Sequence, residues 1–431
     1  MSIMPSPRVL KLAPQPLGLF YRAGQNDHTT LIQLLSQGQR AYHGIVVDAT
    51  RTKRHSELLK EAGKARLECI LDTGTQASAT VGGFSEKLGG LPWGVGRPHE
   101  SSDFADKALG RLISEVGRFA IEHGFSQVLA PTHYIKNADD PWFQRDVETV
   151  YALRSWMDRN GGREIELIYS LCLPYSTLRD EDQRDAIIDA LDGMPIQSLW
   201  LRVDGCGADS TPTAVRNYAS ACWDFGHLGV PIVADQMGGL PGLSLLALSA
   251  VGGLASGLAV GERFHAAHWH RAQTGSAFMA HPRVYLPALD LSLDSDDAKS
   301  LFSANVRLKG LFGCKDPDCC ARGVIDMIER PARHFAIQRM KQVAEISHHP
   351  QTLRPNLFLE RSVRPTTDYA LQLSKAVGIG EPLQKRMARH RHRLDGMRLM
   401  LAKLIDSNQV PTQVRTPKTR VMREGAAPAN R

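Results

Sequence analysis

At 431 residues with 23% charged side chains, the chain is long enough to bury a core without staples, and its seven cysteines, four of them scattered singly, show no paired spacing of a disulfide-framed secreted scaffold. No apolar run reaches membrane-spanning length, since the longest candidate, 240–260, is broken by glycines and serines, and the Pro-rich start lacks a signal-peptide core, so a cytoplasmic protein is expected. The formal charge of +7 is one-sided: 381–431 carries twelve Lys or Arg against four Asp or Glu, a net +8, which leaves the rest at −1 and points to a phosphate backbone as partner.

Residues 1–17 form an N-terminal extension. Eight short apolar runs follow at 18–23, 42–50, 66–74, 125–134, 165–173, 198–205, 230–235 and 253–260, each bounded by Gly, Pro or polar residues, as buried parallel strands are. Amphipathic stretches at 29–36, 103–123, 142–159, 181–191 and 213–225 lie between them. Asp140-Pro141 and Thr211-Pro212 have the form of an N-cap followed by Pro at the first helical position. Eight strands alternating with helices predict an α/β fold, a (β/α)8 TIM barrel over 18–280. The alternative, a doubly wound open sheet, lacks a G-x-G-x-x-G after the first strand.

The connection 76–100 is long and holds six glycines and Trp93. It leaves the carboxyl end of a barrel strand, where barrel active sites sit, and reads as a substrate lid, with a disordered insertion as the alternative. Beyond the barrel the sequence predicts a zinc-binding appendage over 281–350, with a helical run at 323–346. A basic helical region at 351–407, with its helix at 383–404, and a disordered tail at 408–431 follow.

Ionisable residues stand at the end of nearly every strand: Asp48, Asp72, His133, Arg202, Asp204, Asp235, then Glu262, Arg263 and His265. Together they predict an active site at the barrel mouth. Several carboxylates with Arg and His suit glycosidic-bond chemistry, and no H-E-x-x-H supports a metallohydrolase. His268 and His270 read as loop histidines.

Cys314, Cys319 and Cys320, with Pro317 forcing a turn, have the composition of a closed structural zinc site. Both adjacent cysteines can bind one ion only if the backbone bends sharply between them. His348 is assigned as the fourth ligand, with His334 and His349 left as alternatives.

The run Leu71-Asp72-Thr73-Gly74-Thr75-Gln76 resembles the Asp-Ser-Gly-Gly-Phe-Gln signature of the queuine and archaeosine tRNA-guanine transglycosylases, and 257–262, Gly-Leu-Ala-Val-Gly-Glu, resembles that family's base-binding stretch. The cysteine cluster followed by a helix and His is similar to the family's zinc site, with a spacing nearer that of relatives that insert 7-deazaguanines into DNA. The resemblance implies exchange of guanine for a 7-deazaguanine base in DNA or tRNA. It also implies Asp72 as general acid/base and Gln76, Gly257, Gly261 and Glu262 as substrate contacts, while position at strand ends adds Asp204 or Asp235 as nucleophile and His133 and Arg202 as substrate contacts. Two departures stand against it. The Gly-Leu-Ala-Val-Gly-Glu run falls on the eighth strand, later than in the family, and the nucleophile segment has no clear copy. A non-catalytic nucleic-acid-binding barrel and an unrelated barrel hydrolase are the alternative readings.

Overall fold

The computed structural model describes residues 16–271, 283–407 and 409–420. Most of the expected extension, the junction around 280 and the end of the tail therefore lie outside the described residues. Eight strands, β1 (Gly18–Arg22), β2 (Gly44–Asp48), β3 (Glu68–Asp72), β4 (Gln127–Leu129), β5 (Glu166–Pro174), β6 (Ser198–Asp204), β7 (Ile232–Asp235) and β8 (Gly253–Ser256), pair in chain order. All pairs are parallel and β8 closes on β1, which is the expected (β/α)8 barrel.

Strand side chains alternate, and that alternation builds the site. Along β6, Leu199, Leu201 and Val203 join the outer core, while Trp200 belongs to the barrel interior. Phe20, Val46, Ile70, Leu129, Ile168, Trp200, Val233 and Ala255, one from each strand, form a closed interior layer. Two residues further along the strands, the same parity gives Arg22, Asp48, Asp72, Ser170, Arg202, Asp235 and Gly257. A polar layer thus rests directly on an apolar one. Arg22 marks the seam, its guanidinium 6.0 Å from the Trp200 ring centroid.

Asp140 and Thr211 cap their helices as expected, accepting from Trp142 N at 3.1 Å and Ala214 N at 3.3 Å ahead of Pro141–Arg159 and Pro212–Phe225. The connection after β3 is ordered, which overturns the disordered alternative. It contains the short helices Thr75–Ser78 and Glu86–Gly89 and a buried Trp93 whose Nε1 donates to Thr73 O at 3.3 Å. It docks on the loop after β8 through Gly82 N to Trp269 O, 2.8 Å, and any Cβ at Gly82 would lie 2.0 Å from Arg271 O.

Beyond the barrel, β9 (Arg283–Leu286) and β10 (Leu291–Asp294) form an antiparallel hairpin. The expected helical run 323–346 is two helices, Val324–Glu329 and Pro331–His348, because Pro331 restarts the helix. The basic helix, Glu381–Asp406, is not a free arm. It buries Leu383, Met387, His390, Leu394, Met397, Leu401 and Leu404 along one stripe, and its Gly396 abuts Pro212.

The tail also departs from expectation. Its described part, 409–420, crosses the floor of the barrel, at the amino ends of the strands. Thr416 is buried there, and Val414 to Lys418 share a cavity of about 410 Å³ with Gln127, Glu166 and Ser198 from the starts of β4, β5 and β6. Composition read the Pro- and Thr-rich tail as unable to build a core. It need not, because the open barrel end supplies one.

Candidate active site and metal centre

Four side chains lock together above the apolar layer. Arg22 Nη1 meets Asp72 Oδ2 at 2.5 Å, and its Nε and Nη2 meet the two Asp235 oxygens at 2.6 and 2.7 Å. Arg202 donates Nε and Nη2 to Asp235 Oδ2 at 2.9 and 2.6 Å, and its Nη2 lies 3.7 Å from Asp72 Oδ2. Burial by itself would raise the Asp72 carboxyl. The charges of Arg22 and Arg202, with hydrogen bonds from Arg22 and Gly74 N, override it and hold Asp72 below its ordinary value. The Asp72-Thr73-Gly74 turn makes this possible, since Gly74 has φ +73° and a Cβ there would sit 2.6 Å from Leu88 Cδ2.

Over this layer opens a cavity of about 570 Å³ at the carboxyl ends of the strands. Its lining includes Arg22, Asp72 and Arg202 below, Asp27, Asp48, Arg51, Arg54 and Lys87 around it, and Gln76, Gly257, Gly261 and Trp269. Gln76 is buried with its Nε2 unpartnered, which leaves an amide donor for a ligand. Asp27 is half-buried, and desolvation raises its pKa above the ordinary value despite a hydrogen bond from Gly24 N at 2.9 Å and the charge of Arg51. Two carboxyls of one cavity are thus pushed in opposite directions.

The other expected site residues are placed differently. Asp235 has a side chain with no exposed surface, and both its oxygens are taken by guanidiniums, so it does not line the cavity. Asp204 accepts from Ala266 N at 2.7 Å and also lies outside the lining. Glu262 is a structural tie rather than a mouth ligand: it accepts from Gly239 N at 3.0 Å and from the buried Arg339 at 2.8 Å. His133 is buried in a relay, Nδ1 to Asp146 Oδ1 at 2.7 Å and Nε2 to His99 Nδ1 at 3.0 Å, and does not reach the mouth. Burial drives the His133 imidazole down to about 3 and the Asp146 carboxyl up, so both tend to their neutral forms. Since His99 belongs to the connection after β3, this relay pins that connection's far end. Arg22, Asp27, Arg51, Arg54 and Lys87 all line the mouth and are missed from sequence. The parity of Arg22 with Phe20 was a usable signal, whereas Asp27 sits in a helix start and gave none.

The cysteine cluster forms a compact set. The ligand atoms of Cys314, Cys319, Cys320 and His334 all lie within 4.8 Å of one another. Asp316 O accepts both Cys319 N and Cys320 N, at 3.2 and 2.8 Å, so the backbone bends enough for both thiols to face inward. Their sulfurs are 3.7 Å apart and each lies 3.3 Å from His334 Nδ1. His334 Nε2 faces Tyr285 O at 3.0 Å, a pure acceptor. The ring proton therefore sits on Nε2, and the Nδ1 lone pair points at the thiols. This corrects the fourth ligand from His348 to His334. His348 is exposed, bonded to Ala344 O, and lies fourteen residues along the same helix, about 21 Å away at 1.5 Å per residue. Hydrogen bonds from Cys319 and Cys320 lower the Cys314 thiol, and in return Cys314 raises Cys319 to about 11 and Cys320 further. Three crowded thiols and one lone pair form a donor set suited to a metal cation.

The helix Pro331–His348 carries both His334 and Arg339, so the metal-type cluster and the Glu262 tie belong to one rigid element. No helix among the described residues is long and apolar enough to cross a membrane.

No protein-family model matches the chain, and no curated protein is similar to it in sequence. Among solved structures, an endo-1,4-beta-xylanase of Penicillium canescens is similar at 8% identity and TM-score 0.39, over 56% of this chain and 82% of that one. A modular endo-beta-1,4-mannanase from Cellulomonas fimi is similar at 10% identity and TM-score 0.37, over 58% and 67%. An HpcH/HpaI aldolase from Desulfitobacterium hafniense gives 12% identity and TM-score 0.32, over 57% and 87%. None of these reaches a TM-score of 0.5.

Proposed function

We propose that the barrel is a base-exchanging transglycosylase that replaces guanine by a 7-deazaguanine in DNA or tRNA. The observation that carries this reading is the opposed pair of mouth carboxyls: Asp72 held ionised by two guanidiniums, Asp27 held toward its protonated form by burial. Of Asp72, Asp204 and Asp235, only Asp72 lines the cavity, so the nucleophile's role moves to it. Asp72 forms a bond to the sugar C1′ as the C–N glycosidic bond breaks, and Asp27 gives its proton to the departing base. The incoming base then attacks C1′ and displaces Asp72, returning a proton to Asp27. Gln76 Nε2 donates to a carbonyl of the base, the Gly257–Gly261 turn and Trp269 flank its ring, and Arg51, Arg54 and Lys87 face phosphates. The target base must first leave any duplex. The Cys314, Cys319, Cys320 and His334 set holds a structural Zn²⁺ that fixes the helix bearing Arg339 against the barrel.

The test is incorporation of a labelled 7-deazaguanine into tRNA and into DNA by the full chain. Label transfer that Asp72→Asn abolishes is expected, and absence of transfer into both polymers overturns the reading. A second reading, a nucleic-acid-binding barrel without catalysis, is favoured by one observation: the bonds of Arg22 and Arg202 saturate Asp235 and leave Asp72 bound to Arg22. Binding without transfer would select it.

A further inference from the structure

A second cavity, of about 790 Å³, adjoins the mouth. The two share Val260 and Gly261 in their linings. The loop between them is a tight turn: Ala259 and Gly261 both have positive φ, at +61° and +74°, and a Cβ on Gly257 would lie 2.2 Å from Val260 O. This turn projects Val260, 40% exposed, as an apolar rib between the cavities.

Arginines from three separate elements line the second cavity: Arg263 after β8, Arg283 at the start of β9, and Arg386 and Arg393 on the helix Glu381–Asp406. Each of its four carboxylates accepts a hydrogen bond, Asp290 and Asp294 from neutral donors alone. Asp209 pairs with Arg263, and Glu262 with Arg339. Asp290 accepts from Leu240 N and the Tyr285 hydroxyl, and Asp294 caps a helix through Asp297 N. The four arginines match these carboxylates in number, but among the described residues only Arg263 has a close ion pair. Arg386 and Arg393 bond neutral carbonyls, Ser292 O at 2.9 Å and Ala208 O at 2.6 Å, with Asp297 approaching Arg386 only to 3.7 Å. The exposed side chain of Arg283 makes no hydrogen bond or ion pair among the described residues, and its partner across the β9–β10 hairpin is Asp294. Arg386 and Arg393 are seven residues apart on one helix, about 10 Å along its axis, which is wider than a single phosphate and fits successive ones.

We infer that this second cavity is the track for the sugar–phosphate strand flanking the nucleotide whose base enters the mouth. The inference rests on the nucleic-acid substrate of the proposed function and names where the strand runs. It also locates the useful part of the C-terminal positive charge, two arginines of a packed helix rather than the tail.

Anisotropy titration of the full chain with end-labelled single-stranded oligo-dT and oligo-U, between about 50 and 200 mM salt, reads the track directly. Arg283→Ala should weaken binding roughly three- to tenfold at low salt and reduce the salt slope by about 1, with Arg283→Glu weaker still. The thermal midpoint of Arg283→Ala should stay unchanged, since the side chain makes no bond, whereas Arg283→Glu faces Asp294 across the hairpin and should lower it slightly. Arg386→Ala combined with Arg283→Ala should reduce the slope again. Wild-type affinity and slope in all variants would overturn the track while leaving the transglycosylase reading intact if label transfer persists. Displacement of the oligonucleotide by inorganic phosphate at equal phosphate concentration would overturn it in favour of a small-anion pocket. A wild-type chain that binds neither oligonucleotide and transfers no base overturns both.

Discussion

Arg22 on β1 reaches past β2 to bond Asp72 on β3 at 2.5 Å, while its Nε bonds Asp235 on β7 on the other side. A side chain from one strand can span the interior this way only because the layer beneath, with Trp200 under the guanidinium, is full and level. Removing Arg22 leaves two buried carboxylates with Arg202 alone between them. Arg22→Met is therefore expected to lower stability by roughly 3–5 kcal/mol, the usual cost of orphaning a buried charge. Urea denaturation measures this, and a loss below about 1 kcal/mol would show the quartet to be slack.

The Asp72 pair also sets a pH signature. Its folded pKa is depressed, so the stabilisation is present above the unfolded value of about 3.9 and is lost as pH falls through the folded value. In Arg202→Gln, Asp72 loses one cation and its pKa rises, so acid unfolding should begin at higher pH than in wild type. Melting temperature against pH checks it. An unshifted acid limb would mean that Arg22 alone controls Asp72.

Asp27 carries the opposite sign. Burial raises its folded pKa, so its contribution to stability is fully present below the unfolded value and is lost as pH rises through the folded one. If Asp27 protonates the departing base, transfer activity has an alkaline limb at that raised pKa. Asp27→Asn should lower the rate by about 10²-fold or more and flatten that limb, with oligonucleotide affinity retained. A surviving limb assigns the acid elsewhere.

Part of this site is legible in the sequence. Asp72 and Arg202 stand at strand ends, which short apolar runs make easy to read, while Gln76, Gly257 and Gly261 come from the two motif-like runs 71–76 and 257–262. Asp235 is expected at the mouth from its strand end, but sequence cannot show that Arg22 and Arg202 take both its oxygens beneath the cavity. Glu262 and His133 look like mouth residues in one dimension. Their partners, Arg339 and Asp146, come from helices whose contacts no strand pattern encodes. The fourth metal-type ligand failed for a similar reason. Spacing alone ranks His334 and His348 equally, whereas the start of the helix at Pro331 puts His334 in the first turn, beside the Cys319-Cys320 bend.

That choice of histidine is directly testable. Metal analysis of untagged protein should find about one zinc per chain, lost in Cys320→Ser and His334→Ala and retained in His348→Ala. Chelation should lower the thermal midpoint of wild type and leave the already weakened His334→Ala unmoved. Zinc retained in His334→Ala but lost in His348→Ala would reverse the assignment.

The tail gives the last prediction, and here charge and structure disagree. Deleting 409–431 removes several basic residues, so a phosphate-gripping tail would show weaker nucleic-acid binding. The described part of the tail instead lies at the floor, the opposite end from the mouth, with Thr416 buried and Arg415 Nη1 on Gly226 O at 3.4 Å. Deletion should therefore lower the thermal midpoint by several degrees, as uncovering apolar surface does in a domain this size, and leave oligonucleotide affinity per folded molecule unchanged. A point variant separates plugging from charge. A Cβ at Gly252 would lie 1.9 Å from Arg415 O, closer than any real contact, so Gly252→Ala must displace the strap without altering a single charge. Amide exchange should then rise across 409–420 and along the adjoining starts of β1 and β8. Loss of affinity on deletion, with Gly252→Ala silent in exchange, would return the tail to a nucleic-acid role.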